Sequence, residues 1–482
     1  MKFCPENKTK IICTIGPSSN SISTLENLLR AGMNVARLNF SHGDMTGHRQ
    51  VIKNIREASF NIDIPVAIMA DLPGLKIRIG QLATDPLQLM DGDNLTLTTE
   101  DIVGDKTRIS VNFSTLPNVL SIGDDIYIND GFVQLKVTSI VDQDIHCKIF
   151  VGGELNSRKG LNLPGIELDS HALTENDKTL LTFALENQVD AVSQSFVSNA
   201  NDIYNIKQFI SDYNKQTFVI AKIERLQALK NIDQIIQAAD GIMIARGDLG
   251  VEIPIEEMAV TQKKLVQLAN AHGKPVITAT HMLESMVSYR RPTRAEATDV
   301  ANAILDGTDC IMLSSESAMG KYPVEATNML AKIATYTEPF RSEFHTKALL
   351  KEKLNQQSSI DIDDLIASNI QYAIDRVKPA AVLIPTLHGT TARNISKYRV
   401  PIWITAFSLN EHTCKTLQFS YGVFPVFVNN DVSNWEVFCF NWLEKQDIKE
   451  GIALLTQGPS EYNQAVNHRI EVLDLNKHNQ NN

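Results

Sequence analysis

The chain has 482 residues, enough for about three domains at roughly 100–200 residues each. Hydrophobic residues make up 43% and charged residues 21%, which excludes whole-chain disorder, collagen-like repeats and low-complexity scaffolds and points to a soluble globular protein. The formal net charge of −11 disfavours non-specific attraction to nucleic acid or an anionic membrane, and no apolar run reaches the roughly 18 residues of a membrane span.

In chain order, the polar opening at 1–10 predicts no export signal. Short runs rich in β-branched residues follow at 10–16, 33–40, 66–72, 190–196, 218–224, 241–247, 275–282 and 310–316, each read as a strand. Segments of helical period alternate with them at about 21–31, 46–59, 174–187, 200–212, 226–238, 256–271, 294–305 and 323–344. Eight β/α units predict a TIM (β/α)8 barrel.

The interval between Leu72 and Asp190 holds more chain than one connection needs. Within it, alternating runs at 94–99, 125–128, 133–140 and 145–151 are separated by Asp91-Gly92-Asp93, Gly123-Asp124 and Asn129-Asp130-Gly131, predicting a small all-β domain. Leaving from the C-terminal end of the third strand, it would stand over the barrel mouth as a lid. A polar stretch at 347–361 reads as a linker, and runs at 380–387, 401–407, 423–428, 451–457 and 469–475 predict a C-terminal open-sheet α/β domain. The expected division is 1–74 with 165–346 for the barrel, 75–164 for the lid and 347–482 for the C-terminal domain, with a disordered tail at 478–482. Cys4, Cys13, Cys147, Cys310, Cys414 and Cys439 form no C-x-x-C pair, which fits a reduced, cytoplasmic protein.

Barrel chemistry gathers at the C-terminal strand ends. There the second run carries Arg37 and Asn39, the third Asp71, the fifth Lys222 and Glu224, the sixth Arg246 and Asp248, the seventh Thr278 and Thr280, and the eighth Ser314 and Glu316. Residues two apart on a strand share a face, so each pair is expected to point the same way. A single pair is as well explained by solvation or a structural ion pair; convergence at six of eight strand ends is not. Glu224 and Asp248 are hard oxygen ligands suited to Mg²⁺, and no His/Cys cluster offers a zinc site. Lysine and arginine beside such a metal suit phosphoryl transfer, where catalysis is mostly positioning and charge stabilisation.

The motifs Thr9-Lys10-Ile11-Ile12-Cys13-Thr14-Ile15-Gly16-Pro17, Asn34-Val35-Ala36-Arg37-Leu38-Asn39-Phe40-Ser41-His42-Gly43, Ala221-Lys222-Ile223-Glu224, Ala245-Arg246-Gly247-Asp248-Leu249-Gly250, Met282-Leu283-Glu284-Ser285-Met286 and Arg291-Pro292-Thr293-Arg294-Ala295-Glu296 resemble the pyruvate kinase family, bacterial type, across essentially the whole barrel. The resemblance implies Mg²⁺-dependent (or Mn²⁺-dependent) phosphoryl transfer from phosphoenolpyruvate to ADP, giving pyruvate and ATP. It implies that Arg37 and Lys222 bind the transferring phosphate, and that Lys222 stabilises the enolate. It also implies that Glu224 and Asp248 bind the metal, that Gly247 and Asp248 meet the substrate carboxylate, and that Thr280 lies near the protonated face. Pro17, Asn39, His42, Arg78 and Lys159 match positions lining the nucleotide.

The family's monovalent-cation site matches Asn39, Ser41, Asp71 and Leu72, but Leu72 and Lys76 replace the usual Thr and Glu and resemble the branch that does not need K⁺. The Lys76 ammonium would supply the fixed charge. Pro73, Leu75, His281, Ser315 and Ser317 also depart from the usual pattern. Thr386, His388, Gly389, Thr390 and Thr391 resemble an effector-phosphate loop, so a phosphorylated allosteric effector is expected, together with a homotetramer and neither nucleic-acid nor membrane partners. Two readings stay open beside this one: another Mg²⁺ barrel acting on phosphoenolpyruvate or pyruvate enolates, and a catalytically weak sensor built on the C-terminal loop.

Overall fold

A computed structural model describes residues 5–166, 173–341, 361–430, 432–458 and 467–477. Most of the expected linker, the whole 478–482 tail and the boundary at 346 lie outside the described residues. Strands β1 (Lys10–Thr14), β2 (Met33–Asn39) and β3 (Ala67–Leu72) open the chain, and β4 (Leu87–Leu89), β5 (Asn94–Thr98), β6 (Arg108–Ser110), β7 (Asp125–Ile128), β8 (Val133–Val141), β9 (Asp144–Val151), β10 (Gly153–Leu155) and β11 (Leu161–Asn162) form the insert. Then come β12 (Ala191–Gln194), β13 (Phe218–Ile223), β14 (Gly241–Ala245), β15 (Val276–Ala279) and β16 (Cys310–Leu313), which with β1–β3 close a parallel barrel in the order β1-β16-β15-β14-β13-β12-β3-β2.

The surrounding helices start where the sequence supplies caps. Thr174 with Asp177, Asn199 with Asp202 and Thr293 with Glu296 each make reciprocal capping boxes, satisfying backbone N–H groups the helix leaves free. One expected helix, 226–238, is broken at Asn231 into Leu226–Lys230 and Ile232–Ala238; the Asn231 amide instead donates to the Ser198 carbonyl. Along each strand alternate residues face outward to the helices or inward to the barrel axis, and the inner set, including Ile12, Met69, Ile220, Met243 and Met312, fills the barrel as a packed core rather than a pore.

The insert is a six-stranded sheet, β11-β7-β8-β9-β5-β6, beside the pair β10-β4, around its own aliphatic core. Its short strands β4, β6, β10 and β11 escaped sequence reading because two or three residues show no periodicity. The outgoing and returning chains run side by side, with Ile79 N donating to Lys159 O at 3.0 Å. The C-terminal domain carries β17 (Ala381–Pro385), β18 (Ile404–Ser408), β19 (Val423–Phe427), β20 (Ile452–Gln457) and β21 (Arg469–Asp474) in the order β19-β18-β17-β20-β21, with only β21 antiparallel. Its Phe419 enters the barrel's inner core from the base and stacks on Phe218 with ring centroids 5.6 Å apart.

Candidate active site

The barrel mouth is organised around Asp71. Arg37 donates to Asp71 Oδ2 through Nε (2.9 Å) and Nη2 (2.5 Å), Ser193 Oγ donates to Oδ1 at 2.7 Å, and Lys222 Nζ stands 3.3 Å from Oδ1. The strand register makes this meeting possible, since Asn39 and Ser193 are the direct partners of Asp71 on either side. Burial pushes the Asp71 carboxyl up, but Lys222 and Arg37 outweigh it and hold the group below the usual carboxylate range.

Lys222 is placed by three contacts: Asp71, Glu224 Oε1 at 2.9 Å, and the Ser195 hydroxyl at 2.7 Å, which itself donates to Leu72 O. Burial alone would lower its pKa, but the carboxylates of Asp71 and Glu224 reverse this and keep the ammonium charged. Glu224 accepts from Phe196 N at 2.8 Å; burial raises its pKa, Lys222 lowers it and the nearby negative charge of Asp248 raises it again. Two carboxylates that repel each other at the edge of a cleft form a hard-oxygen donor set for a divalent cation. Among the described residues no group of three or more His, Cys, Asp or Glu side chains forms a metal-holding cluster. A carboxylate pair leaving positions to water and substrate oxygens fits Mg²⁺ better than zinc.

The structure departs from three expectations. Arg246 and Asp248 do not share a strand face, because β14 ends at Ala245 and both lie in the helix Arg246–Glu252. Arg246 turns to the carbonyls of Ala279 and Thr280 and to Asp299, at 2.6–3.2 Å. Thr278 is fully buried and bonds to Thr308, away from the mouth, and Glu316 is buried against the backbone N–H groups of Leu283 and Ser314. Neither joins the cluster.

Thr280 does reach it: its hydroxyl accepts from Gly247 N at 2.9 Å. Its φ of 67° and that of His281, 53°, are left-handed, an unfavourable conformation for a β-branched residue that marks stored strain at a strand end. Gly74 is needed where the chain turns into the lid, since it has φ 63° and a Cβ would lie 3.1 Å from Ser195.

Lys76 reaches Asp248 Oδ1 at 3.0 Å rather than Asp71, whose charge Arg37 and Lys222 already meet. Asn39 Oδ1 accepts from Ser41 N, while Pro17, Ser41 and His42 are exposed beside β1 and β2. Arg78 donates to Arg158 O and lies opposite Gly160 where the lid returns, next to the half-buried Lys159. Thr386 Oγ1 accepts from Gly389 N at 2.9 Å, far along the chain in the C-terminal domain, with His388 and Thr390 exposed and Thr391 half-buried. Sequence reading missed Thr14, whose hydroxyl accepts from Arg37 Nη1 at 2.8 Å, and the serines Ser193 and Ser195. The two-residue spacing of those serines was the available signal.

A closed parallel barrel whose mouth holds a charged lysine among carboxylates is the arrangement of a barrel enzyme equipped to transfer an anionic group. The family description "Pyruvate kinase, barrel domain" matches residues 6–327, and "Pyruvate kinase, alpha/beta domain" matches 364–461. The chain is 46% identical over 442 residues to the pyruvate kinase of Thermococcus litoralis, covering 90% of this chain and 91% of that one. It is 42% identical over 433 residues to the pyruvate kinase of Bacillus licheniformis, covering 89% and 73%. The crystal structure of a pyruvate kinase from Cryptosporidium parvum matches at a TM-score of 0.90 and 35% identity, over 98% of this chain and 96% of that one. The chain therefore belongs to the pyruvate kinase family, enzymes that transfer the phosphoryl group of phosphoenolpyruvate to ADP. Among the described residues no helix is long and apolar enough to cross a membrane.

Proposed function

We propose that Lys222 and Arg37 carry this phosphoryl transfer at the barrel mouth, gripping the transferring group while Lys222 stabilises the enolate charge that develops as it leaves. The observation behind this is the Lys222 ammonium, held charged between Asp71 and Glu224 at 3.3 and 2.9 Å near the C-terminal end of its barrel strand. Fixed charges in a water-poor site stabilise a developing anion without reorganising. Glu224 and Asp248 would hold a Mg²⁺ or Mn²⁺ ion, which would supply Lewis-acid charge for the transfer. The backbone at Gly247 and Asp248 receives the substrate carboxylate, and Thr280 lies at the face where the enolate takes its proton. Pro17, Asn39, His42, Arg78 and Lys159 line the nucleotide, with Lys159 brought in by the lid.

The barrel spans 1–74 and 165–346, the lid 75–164 and the regulatory domain 347–482. A cytoplasmic homotetramer answering to a phosphorylated effector completes the reading. K⁺ is not required: Lys76, paired with Asp248, supplies a fixed ammonium at the mouth in place of an ion at Asn39, Ser41, Asp71 and Leu72.

The test is Lys222→Met. Pyruvate formation should fall by about 10²–10³ or more in kcat with little change in KM for phosphoenolpyruvate. An unchanged kcat would remove Lys222 from the chemistry.

A further inference from the structure

At the base of the barrel, opposite the mouth, a cavity of about 320 Å³ opens between barrel and C-terminal domain, lined by Lys215 and Asp240 from the first and His388, Arg393, His412 and Thr416 from the second. Arg393 is its unusual member. Two of its N–H groups are spent, on His388 O and Thr416 Oγ1, each at 2.9 Å. The buried Nε has no partner, and the guanidinium lies over the Phe218 ring, 5.3 Å from its centroid.

Among the described residues no carboxylate pairs with Arg393. Asp240, the nearest acid, is already paired with Lys207 at 2.7 Å and accepts from Val219 N. Burial pulls the Arg393 guanidinium down to about 10, so the fold holds a charge it does not compensate. An arginine has five donors in a rigid fork that matches phosphate oxygens. With Asp240 neutralised by Lys207, Arg393 and the exposed Lys215 leave about two positive charges facing the cavity, which suits a dianion better than a carboxylate. The volume lies at the small end of the roughly 300–1,000 Å³ typical of small-molecule sites, more than a bare phosphate needs.

We propose that this interdomain cavity binds a small phosphate monoester, its phosphate on Arg393 and Lys215. The inference rests on the reading that the C-terminal domain answers to a phosphorylated effector, and moves the anchoring charge from the hydroxyls of the 386–391 loop to the cleft between domains. β13 begins at this cavity and ends beside Lys222 and Glu224, so the ligand would touch one end of the strand that carries the chemistry at the other.

Calorimetric titration of the full chain with glucose 6-phosphate, in Mg²⁺ and saturating phosphoenolpyruvate to occupy the mouth, tests it. We expect saturable binding that Arg393→Met weakens at least about tenfold. Because Arg393→Met also removes two internal bonds, Lys215→Gln on the exposed rim is the second arm, expected to weaken binding roughly two- to fivefold without disturbing the fold. Thr390→Ala with Thr391→Ala should leave the affinity unchanged. Loss of binding in the threonine variant with Arg393→Met and Lys215→Gln unaffected would return the phosphate to the loop and overturn the cleft site alone. No binding to the unmodified chain by glucose 6-phosphate or ribose 5-phosphate would overturn the effector reading with it.

Discussion

The two ends of the barrel each bury an arginine against an aspartate, and they use the pair differently. At the mouth, Arg37 and Asp71 belong to a network that continues through Lys222 and Glu224 to the half-exposed Asp248 and Lys76. At the base, Arg399 spends its guanidinium entirely inside the protein, on Gly307 O, Ser396 O, Asn270 and Asp309, while Asp309 also accepts from Tyr421 N. Around Arg399, unlike at the neighbouring Arg393, the base is a closed set of buried charges, which joins the C-terminal domain to the start of β16 beneath Phe419. The mouth is an open set whose charges exceed what the fold needs. Buried charges become chemistry where their bonding is left incomplete toward solvent, and become architecture where it is complete.

Opposite responses to mutation would sharpen this contrast. Lys222→Met should show mainly as the large fall in kcat given above, with a smaller loss of melting temperature, because the buried Glu224 is left with Phe196 N while Asp71 keeps Arg37. Arg399→Met should do the reverse, destabilising the docked C-terminal domain by about 3–5 kcal/mol, the cost of leaving a buried partner charge unpaired. A lowered urea midpoint with kcat nearly retained is the expected result. If Arg399→Met left the midpoint unmoved, the base would not be the architectural end.

Much of this division was legible in the sequence and part was not. The eight barrel strands were readable because each is a β-branched run bounded by turn chemistry, and Arg37, Asp71, Lys222 and Glu224 because residues two apart on a strand share a face. The position of Asp248 followed a different route: its motif sits on a short helix, so strand periodicity gave the wrong direction for Arg246. Ser193 and Ser195 carry no charge and went unnoticed, although they orient Asp71 and Lys222. The base was almost invisible, since Arg399 and Asp309 stand 90 positions apart with no motif linking them, and only the fold brings them together.

Lys76 tests how far the mouth's surplus charge matters. Its ammonium lies at Asp248 and its stem against Gly160 at the lid's return, where an added Cβ would come within 3.0 Å of Lys76 Cε. The native enzyme should be active in potassium-free buffer and respond little to added KCl. Lys76→Met should lose activity without salt and recover part of it with KCl but less with tetramethylammonium chloride, which matches the ionic strength with an ion too bulky to enter. Equal recovery in both salts would mean that Lys76 does not stand in for an ion.

The smallest expected effect lies just outside the charged cluster of the mouth, where the lid meets the barrel. Burial pushes Glu252 up to about 7, against the lowering effects of Arg225, Leu226 N and the lid residue Asn162. Its ordinary value is 4.5, so between about pH 4.5 and pH 7 the folded chain keeps a proton that the unfolded chain has released. The unfolded state then binds fewer protons, and this group's contribution to stability falls as pH rises through that window and levels off above it. Glu252→Gln removes the titration and keeps an amide able to bond to Asn162. Relative to the native chain the variant should therefore gain melting temperature progressively from about pH 5 to about pH 8. Parallel melting curves across that range would show that Glu252 ionises as freely in the lid joint as in water, and that the incompletely bonded charges of the mouth stop at Asp248.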